Sequence, residues 1–311
     1  MNSIFVDPAI KDDSRRQLLY EGQLLVYSPT PSSLAFIQFA REMAAEAFHP
    51  LDPETAQFHL PVEKYASILA ELKPKFIHHP KSKECIQGML RDLGCDLNKT
   101  YFDVPRMRTA TSENYLTAGI AYAFHPHRDT WYSAPMCQLN WWIPIYPIEP
   151  RNAMAFHPKY WNQGVRNGSG EYNYNEWNRT SRQNAAQHIK VDTRKQPHAE
   201  ETLTLDPQIR VIAPPGGILI FSAAHMHSTV PNDSGRTRFS IDFRTVNVDD
   251  VAARRGAPNV DSASTGTTMH DYLRGSDLAH VPEEFYLLYE SQPPAIGRSD
   301  VPASVSTGVA D

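Results

Sequence analysis

A chain of 311 residues with 41% hydrophobic and 21% charged residues, including 5 Trp, 14 Tyr and 13 Phe, has enough apolar matter for a packed core, which excludes wholesale disorder. Lys and Arg number 30 against 35 Asp and Glu, a formal net charge of −5, so no global basic field exists to hold a nucleic acid. Nowhere do about 18 apolar residues follow one another, and the opening MNSIFVDPAIKDDSRR has neither a basic start nor an apolar run, so the expectation is a soluble cytoplasmic protein with no membrane partner.

Residues 22–28 read as a first strand. Pro-Ser-Ser then opens a helix whose Phe36, Phe39, Ala40, Met43 and Ala47 recur at helical spacing before Pro50. A second helix is predicted from Pro61, with Tyr65, Ile68, Leu69 and Leu72 on its apolar face and a break at Pro74. A third carries Ile86, Met89, Leu90 and Leu93 and closes at Gly94. From Tyr101 the texture changes to short runs rich in β-branched and aromatic residues, at 101–109, 117–124, 137–146, 153–157, 209–213, 217–222 and 236–246. Short strands without intervening helices predict an antiparallel sandwich or barrel behind N-terminal helices, an α+β chain that is mainly β.

The whole chain, 1–311, reads as one catalytic domain: a helical support over 1–100, a β core over 101–248 and a C-terminal segment over 249–311 that frays from about residue 292. The core is interrupted by a long insert at 162–208, a length typical of lids and binding loops. Cys85, Cys95 and Cys137 show no CxxC spacing and fit reduced thiols. The four Asn-x-Ser/Thr sequons are taken as chance.

Chemistry concentrates in two segments. In Phe124-His125-Pro126-His127-Arg128-Asp129, an extended chain puts His127 and Asp129 on one side, one imidazole and one carboxylate for one metal. His225-Met226-His227, at the end of the strand GGILIFS, offers a third ligand. Two histidines and one carboxylate on a sheet form the facial set of non-haem Fe(II) oxygenases, which leaves positions open for cosubstrate and O₂. His225 and His227 share a strand face and compete for the role. Downstream, HSTVPNDSGRTRFSIDFR makes a turn and a return strand, with Arg238 eleven residues after His227. An arginine fork there suits a dicarboxylate cosubstrate. Arg236 is its same-face competitor.

With these residues in view, the chain resembles the Fe(II)/2-oxoglutarate-dependent dioxygenases of the phytanoyl-CoA dioxygenase-like superfamily over about residues 100–248. The resemblance implies a double-stranded β-helix (a jelly roll, cupin-like), Fe(II) held by His127, Asp129 and His227, and 2-oxoglutarate held by Arg238 with the hydroxyl of Thr229. It also implies an aromatic wall at Trp142 and use of O₂ with release of succinate and CO₂. Family spacing decides for His227 over His225 and for Arg238 over Arg236. A retained carboxylate at Asp129 implies hydroxylation, desaturation or ring chemistry rather than halogenation. The stretch AMAFHPKYW departs from the family's small-residue turn and bears on the substrate.

Around this site, strand 137–146 alternates Gln138, Asn140 and Trp142 on the face aimed at the metal. Gln138 and Asn140 join the cofactor-binding set or are satisfied core amides. Arg106 and Arg108 clamp an anionic substrate or lie on a solvated face. Trp131 and Tyr132 wall a pocket or pack. His157, His188 and His198 are structural. The expected partner is a small-to-medium metabolite, and two other classes stay open: a cupin-like metalloenzyme without 2-oxoglutarate, and a non-enzymatic β-barrel binding module.

Overall fold

The computed structural model describes residues 3–117, 125–180 and 196–290. The chain begins with an edge strand, β1 (Ile4–Val6), and a helix, α1 (Asp12–Tyr20), neither of which the sequence pattern suggested. Strand β2 (Leu24–Tyr27) and helix α2 (Pro31–Phe48) follow as expected. A reciprocal capping box fixes the start of α2: Thr30 Oγ1 accepts from the Ser33 N–H and Ser33 Oγ from the Thr30 N–H.

Helix α3 (Val62–His78) runs through Pro74 rather than breaking there. Proline removes a single intrahelical bond, and Leu69, Leu72 and Phe76, buried on either side of it, hold the helix against the core. Helix α4 (Pro80–Asp92) ends before Gly94, whose φ of +70° suits glycine. Phe76 stacks on Phe36 and Phe39, with ring centroids 5.4 and 6.0 Å apart, and so joins α3 to α2.

The run 101–109 is two strands, β3 (Thr100–Phe102) and β4 (Arg106–Ala110), separated at Pro105. Then come β5 (Leu139–Pro144), β6 (Met154–Phe156), a short helix α5 (Tyr174–Thr180) inside the insert, β7 (Ile209–Val211), β8 (Ile218–Ser222), β9 (His227–Thr229) and β10 (Arg238–Asn247). The chain closes with α6 (Val248–Ala252), β11 (Leu273–Arg274) and α7 (Glu283–Tyr286). The strand expected at 117–124, part of the insert at 181–195 and the tail from 291 lie outside the described residues.

These strands form an eight-stranded sheet in the order β1-β2-β8-β5-β10-β3-β11, with β4 also on β10, and a three-stranded sheet β7-β6-β9. Among the described strand pairs, only β1–β2 is parallel. β10 is long enough to pair β4 along its first half and β3 along its second, while β5 occupies its other edge.

Helices and strands share one core on one face of the large sheet, where Leu139, Trp141 and Ile143 of β5 meet Ile218 and Ile220 of β8 and Phe239, Ile241 and Phe243 of β10. The opposite face packs Trp142, Leu219 and Phe221 against Met154 and Phe156 of the small sheet. Beside that contact, β10 presents Arg238, Asp242 and Arg244 to a cavity between the layers. No helix among the described residues is long and apolar enough to cross a membrane, and all three cysteines are free thiols.

Gly22, after α1, has φ +89°, and a Cβ there would stand 2.5 Å from Trp161 Cε2. Gly22→Ala is therefore expected to lower unfolding free energy by about 1–3 kcal/mol from backbone strain alone, with the displacement of Trp161 adding to it, as measured by urea denaturation.

Candidate functional site

His127 and His227 meet through their backbones before their side chains. Each N–H donates to the other's carbonyl at 3.0 Å, an isolated antiparallel bridge between segments one hundred residues apart. The two rings lie 4.4 Å apart by centroid. In each, Nδ1 is held by the carbonyl two residues earlier, of His125 at 2.7 Å and of His225 at 2.9 Å. A ring that donates Nδ1–H to a carbonyl carries its lone pair on Nε2, so both histidines offer Nε2 to a common point.

Asp129 stands 3.4 Å from His127 Nε2, and ligand atoms of His127, Asp129 and His227 all lie within 4.8 Å of one another, a set able to hold a metal ion. The sequence argument for this trio holds only in part. His227 is not at the end of β8; the chain turns after Ser222 and starts β9 in the other sheet. Asp129 likewise begins a short 3-10 helix, Asp129–Tyr132, rather than continuing a strand.

Arg128, between two members of the set, points the other way. It is fully buried and donates to the Ala224 carbonyl at 2.5 Å, to Asp261 at 3.0 Å and to the carbonyls of Tyr160 and Gln163. Asp261 also accepts from the Trp131 indole at 2.8 Å and the Val165 N–H at 3.0 Å. Trp131 is thus no wall of the pocket: it is buried in a satellite cluster with Tyr160, Val165 and Met226. Tyr132 does line the cavity, edge-on to His127 at 5.7 Å.

His225 is turned away, its Nε2 2.9 Å from the Gly22 carbonyl and its ring against Trp161 at 4.6 Å. His157 is buried and paired with Ser228, whereas His198 is exposed and His188 lies outside the described residues.

Gln138 is committed within the wall. Tyr272 donates its hydroxyl to Gln138 Oε1 at 2.6 Å, which turns the amide N–H₂ toward Asn140 Oδ1 at 2.9 Å and Asp129 Oδ2 at 3.5 Å. Gln138 and Asn140, expected at a cosubstrate, both line the cavity; the Gln138 amide is held by Tyr272, Thr268, Asn140 and Asp129, and Asn140 Oδ1 accepts from it. Burial pushes the Asp129 carboxyl up, but Arg244, whose Nε lies 3.5 Å away, and the two histidines hold it well below the usual carboxylate range. It is an anion ready to bind a cation.

Arg238 is buried, lines the cavity and lies over Trp142, 5.6 Å from the ring centroid. Its Nη1 donates to the carbonyls of Asn152 and Ala153 at 3.0 and 3.3 Å, and its Nε has no partner among the described residues. Burial pulls this guanidinium down to about 10, with Asp242 opposing. Ser240 Oγ, two residues along the same strand face, is also buried without a partner. Thr229 lines the same cavity. Arg236 lies outside it, exposed and 3.6 Å from Glu54.

Arg106 and Arg108 are not on a solvated face; both line the cavity, ion-paired to Asp103 and to Asp242 at 2.7 Å. Asp103, Asp242, Arg244 and Tyr272 were missed by sequence reasoning. A signal existed for two of them: Arg238, Ser240, Asp242 and Arg244 recur at period two between Phe239, Ile241 and Phe243. The cavity encloses about 350 Å³, in the range of small-molecule sites.

No protein-family model and no curated protein matches the chain. Among solved structures, it is similar to the epimerase SnoN in complex with Fe3+, alpha ketoglutarate and nogalamycin RO (13% identity over 76% of this chain and 85% of that one, TM-score 0.39). It is also similar to EvdO2 from Micromonospora carbonacea var. aurantiaca complexed with 2-oxoglutarate (11% identity, 77% and 92%, TM-score 0.42). A third is the non-heme monooxygenase ThoJ (12% identity, 71% of each chain, TM-score 0.34).

Two outcomes follow from this geometry. Burial pushes both His225 and His227 down to about 3, with neighbouring charges secondary, so each stays neutral in the folded state at pH values where the unfolded chain, near 6.5, already takes up a proton. Metal-free protein should therefore lose stability as pH falls from about 6.5 toward 3, by up to about 1.4 kcal/mol per pH unit for each histidine, read from denaturant midpoints across pH. Tyr272→Phe, which removes the shortest bond holding the Gln138 amide, should weaken divalent-metal affinity about tenfold by calorimetric titration with little change in secondary structure.

Proposed function

We propose that this chain is a non-haem Fe(II)/2-oxoglutarate-dependent oxygenase built on a double-stranded β-helix, with His127, Asp129 and His227 as iron ligands and Arg238 as receptor for the far carboxylate of 2-oxoglutarate. The observation that carries this reading is Arg238: a buried guanidinium with no salt bridge among the described residues and an unpartnered Nε, next to the equally unpartnered Ser240 hydroxyl. An uncompensated buried charge is costly, and a carboxylate accepting two parallel bonds removes that cost. The donor set fits as well: two imidazoles and a carboxylate gathered on one side suit the facial arrangement that ferrous oxygenases use.

Iron and 2-oxoglutarate, when bound, supply O₂ activation coupled to loss of CO₂ and formation of succinate, with oxidation of a substrate C–H bond. The protein's own groups bind, orient and shield. Arg238, with Thr229 in the same cavity wall, would fix one end of the cosubstrate, and Trp142 under the guanidinium would exclude water from it. Gln138 and Tyr272 keep one oxygen of Asp129 occupied, which favours presentation of the other to the metal. Aromatic side chains from Tyr132 to Trp177 line the cavity and limit solvent. Hydroxylation of a small-to-medium metabolite is the outcome we favour, because Asp129 keeps the third ligand position filled by protein. A cupin-like enzyme without 2-oxoglutarate gives no task to the Arg238 Nε, and a binding module gives none to the His–Asp–His set.

Anaerobic titration with Fe(II) and 2-oxoglutarate tests the assignment. The expected result is a weak visible metal-to-ligand charge-transfer band in the parent protein. Arg238→Ala should lose the band and weaken 2-oxoglutarate binding by tenfold or more, roughly the worth of a charge-assisted pair, while still binding iron. Iron binding without the band in the parent protein would overturn the reading.

A further inference from the structure

We infer that the cavity selects a substrate bearing a single carboxylate on a flat apolar body, with the free edge of the Arg106 guanidinium receiving the carboxylate and the Tyr132–Tyr172–Trp177 arc receiving the body. The inference rests on the iron and 2-oxoglutarate reading for its charge balance and on the structure alone for its geometry.

The set of candidate ligands leads away in two directions. From Asp129 a chain of ion pairs runs outward: Arg244 Nε is 3.5 Å from Asp129, Arg244 Nη1 3.1 Å from Asp103, and Asp103 is bonded to Arg106. From His127 an aromatic chain runs the other way: Tyr132 is edge-on at 5.7 Å, Tyr172 edge-on to Tyr132 at 5.5 Å, and Trp177 6.4 Å from Tyr172. All of these residues line the one cavity. A ligand that touches both chains holds its middle near the His127–Asp129 pair.

Charge decides what the polar end accepts. Asp129, Arg238, a ferrous ion and doubly ionised 2-oxoglutarate sum to zero. The remaining charged groups lining the cavity among the described residues are three arginines (106, 108 and 244) and two aspartates (103 and 242), which leaves one positive charge. Lys73, behind the wall and donating to Thr109, is pulled down to about 7 by burial and adds no full second charge at neutral pH.

Donor geometry then singles out Arg106. Arg108 is closed by Asp242 through two bonds, Nε at 2.7 Å and Nη2 at 3.3 Å. Arg106 makes both of its hydrogen bonds, to Asp103 and the Val104 carbonyl, from Nη1 alone. Its Nε and Nη2 have no partner among the described residues and form the edge that binds a carboxylate through two parallel bonds. At the other end, Tyr132 gives its hydroxyl to the Pro197 carbonyl and Tyr174 gives its own to Asp271, while the Trp177 indole N–H is buried with no acceptor among the described residues. The body therefore meets ring surface and one unfilled donor.

The test uses three probes that differ only at the terminus: 3-phenylpropanoate, 3-phenylpropanol and 3-phenylpropylamine. Each is titrated by tryptophan fluorescence into metal-free protein and into protein loaded anaerobically with Fe(II) and 2-oxoglutarate. The acid should bind about tenfold or more tighter than the alcohol, and the amine weakest. Arg106→Met should erase the preference for the acid and leave alcohol binding unchanged, Arg106→Lys should recover part of it, and Trp177→Phe should weaken acid and alcohol alike. Equal affinity of acid and alcohol, no binding of any probe at millimolar concentration, or a preference that survives Arg106→Met would overturn the inference; the parent comparison stands even if a variant does not fold. A preference for the acid in a protein that shows no charge-transfer band would sink the iron reading and spare this one, and a band without the preference would do the reverse.

Discussion

Two backbone hydrogen bonds between His127 and His227 close a loop of one hundred residues, and the site depends on that closure. Loop closure of this length is entropically unfavourable, and two bonds do not offset it. What makes it tolerable is the packing on either side. β9 is held against β6 in the small sheet, and the segment before Asp129 is pinned from behind by Arg128, whose buried guanidinium ties it to Ala224, Tyr160, Gln163 and Asp261. A geometry fixed by backbone bonds and buried arginine donors costs little reorganisation when a cation arrives, which is the condition for tight and selective binding.

The second constraint is that β10 must satisfy two different environments at once. Phe239, Ile241 and Phe243 belong to the helix-backed core, and Arg238, Asp242 and Arg244, alternating with them, carry charge into the cavity. Buried charge survives only when paired, and Asp103, Asp129 and Asp242 pair with Arg106, Arg108 and Arg244. Among the described charged residues of the cavity, Arg238 breaks the pattern, bonded to carbonyls rather than to a carboxylate. In the function proposed above, that exception is where the cosubstrate carboxylate would supply the balancing charge.

Much of this was legible in the sequence, for reasons that differ by residue. Helices α2 and α4 carry apolar spacing and clear end signals at Thr30, Pro31 and Gly94, and the central strands are dense in aromatic and β-branched residues. The His127, Asp129 and His227 trio stood out because histidines crowd two short segments, and Arg238 because a turn and a return strand follow. The three-residue strands β1 and β9 are too short for any periodicity to register. Tyr272, Asp103 and Asp261 act only after remote segments dock, and nothing local marks them. Trp131 shows a different limit, since the sequence left wall and packing open. Its position near Asp129 suggested a wall, but a tight 3-10 turn rotates it into a satellite core.

The hydroxyl of Tyr272 has a consequence for how this protein can change over generations. Because that group, with Thr268 Oγ1 beside it at 3.3 Å, sets which way the Gln138 amide faces, and the amide in turn faces Asp129, the sequence near residue 270 has leverage over an ionised side chain encoded more than a hundred positions earlier. Drift in that late segment can retune the electron-donating character of the carboxylate while every candidate ligand stays the same, so two descendants with identical ligand sets need not share a reactivity.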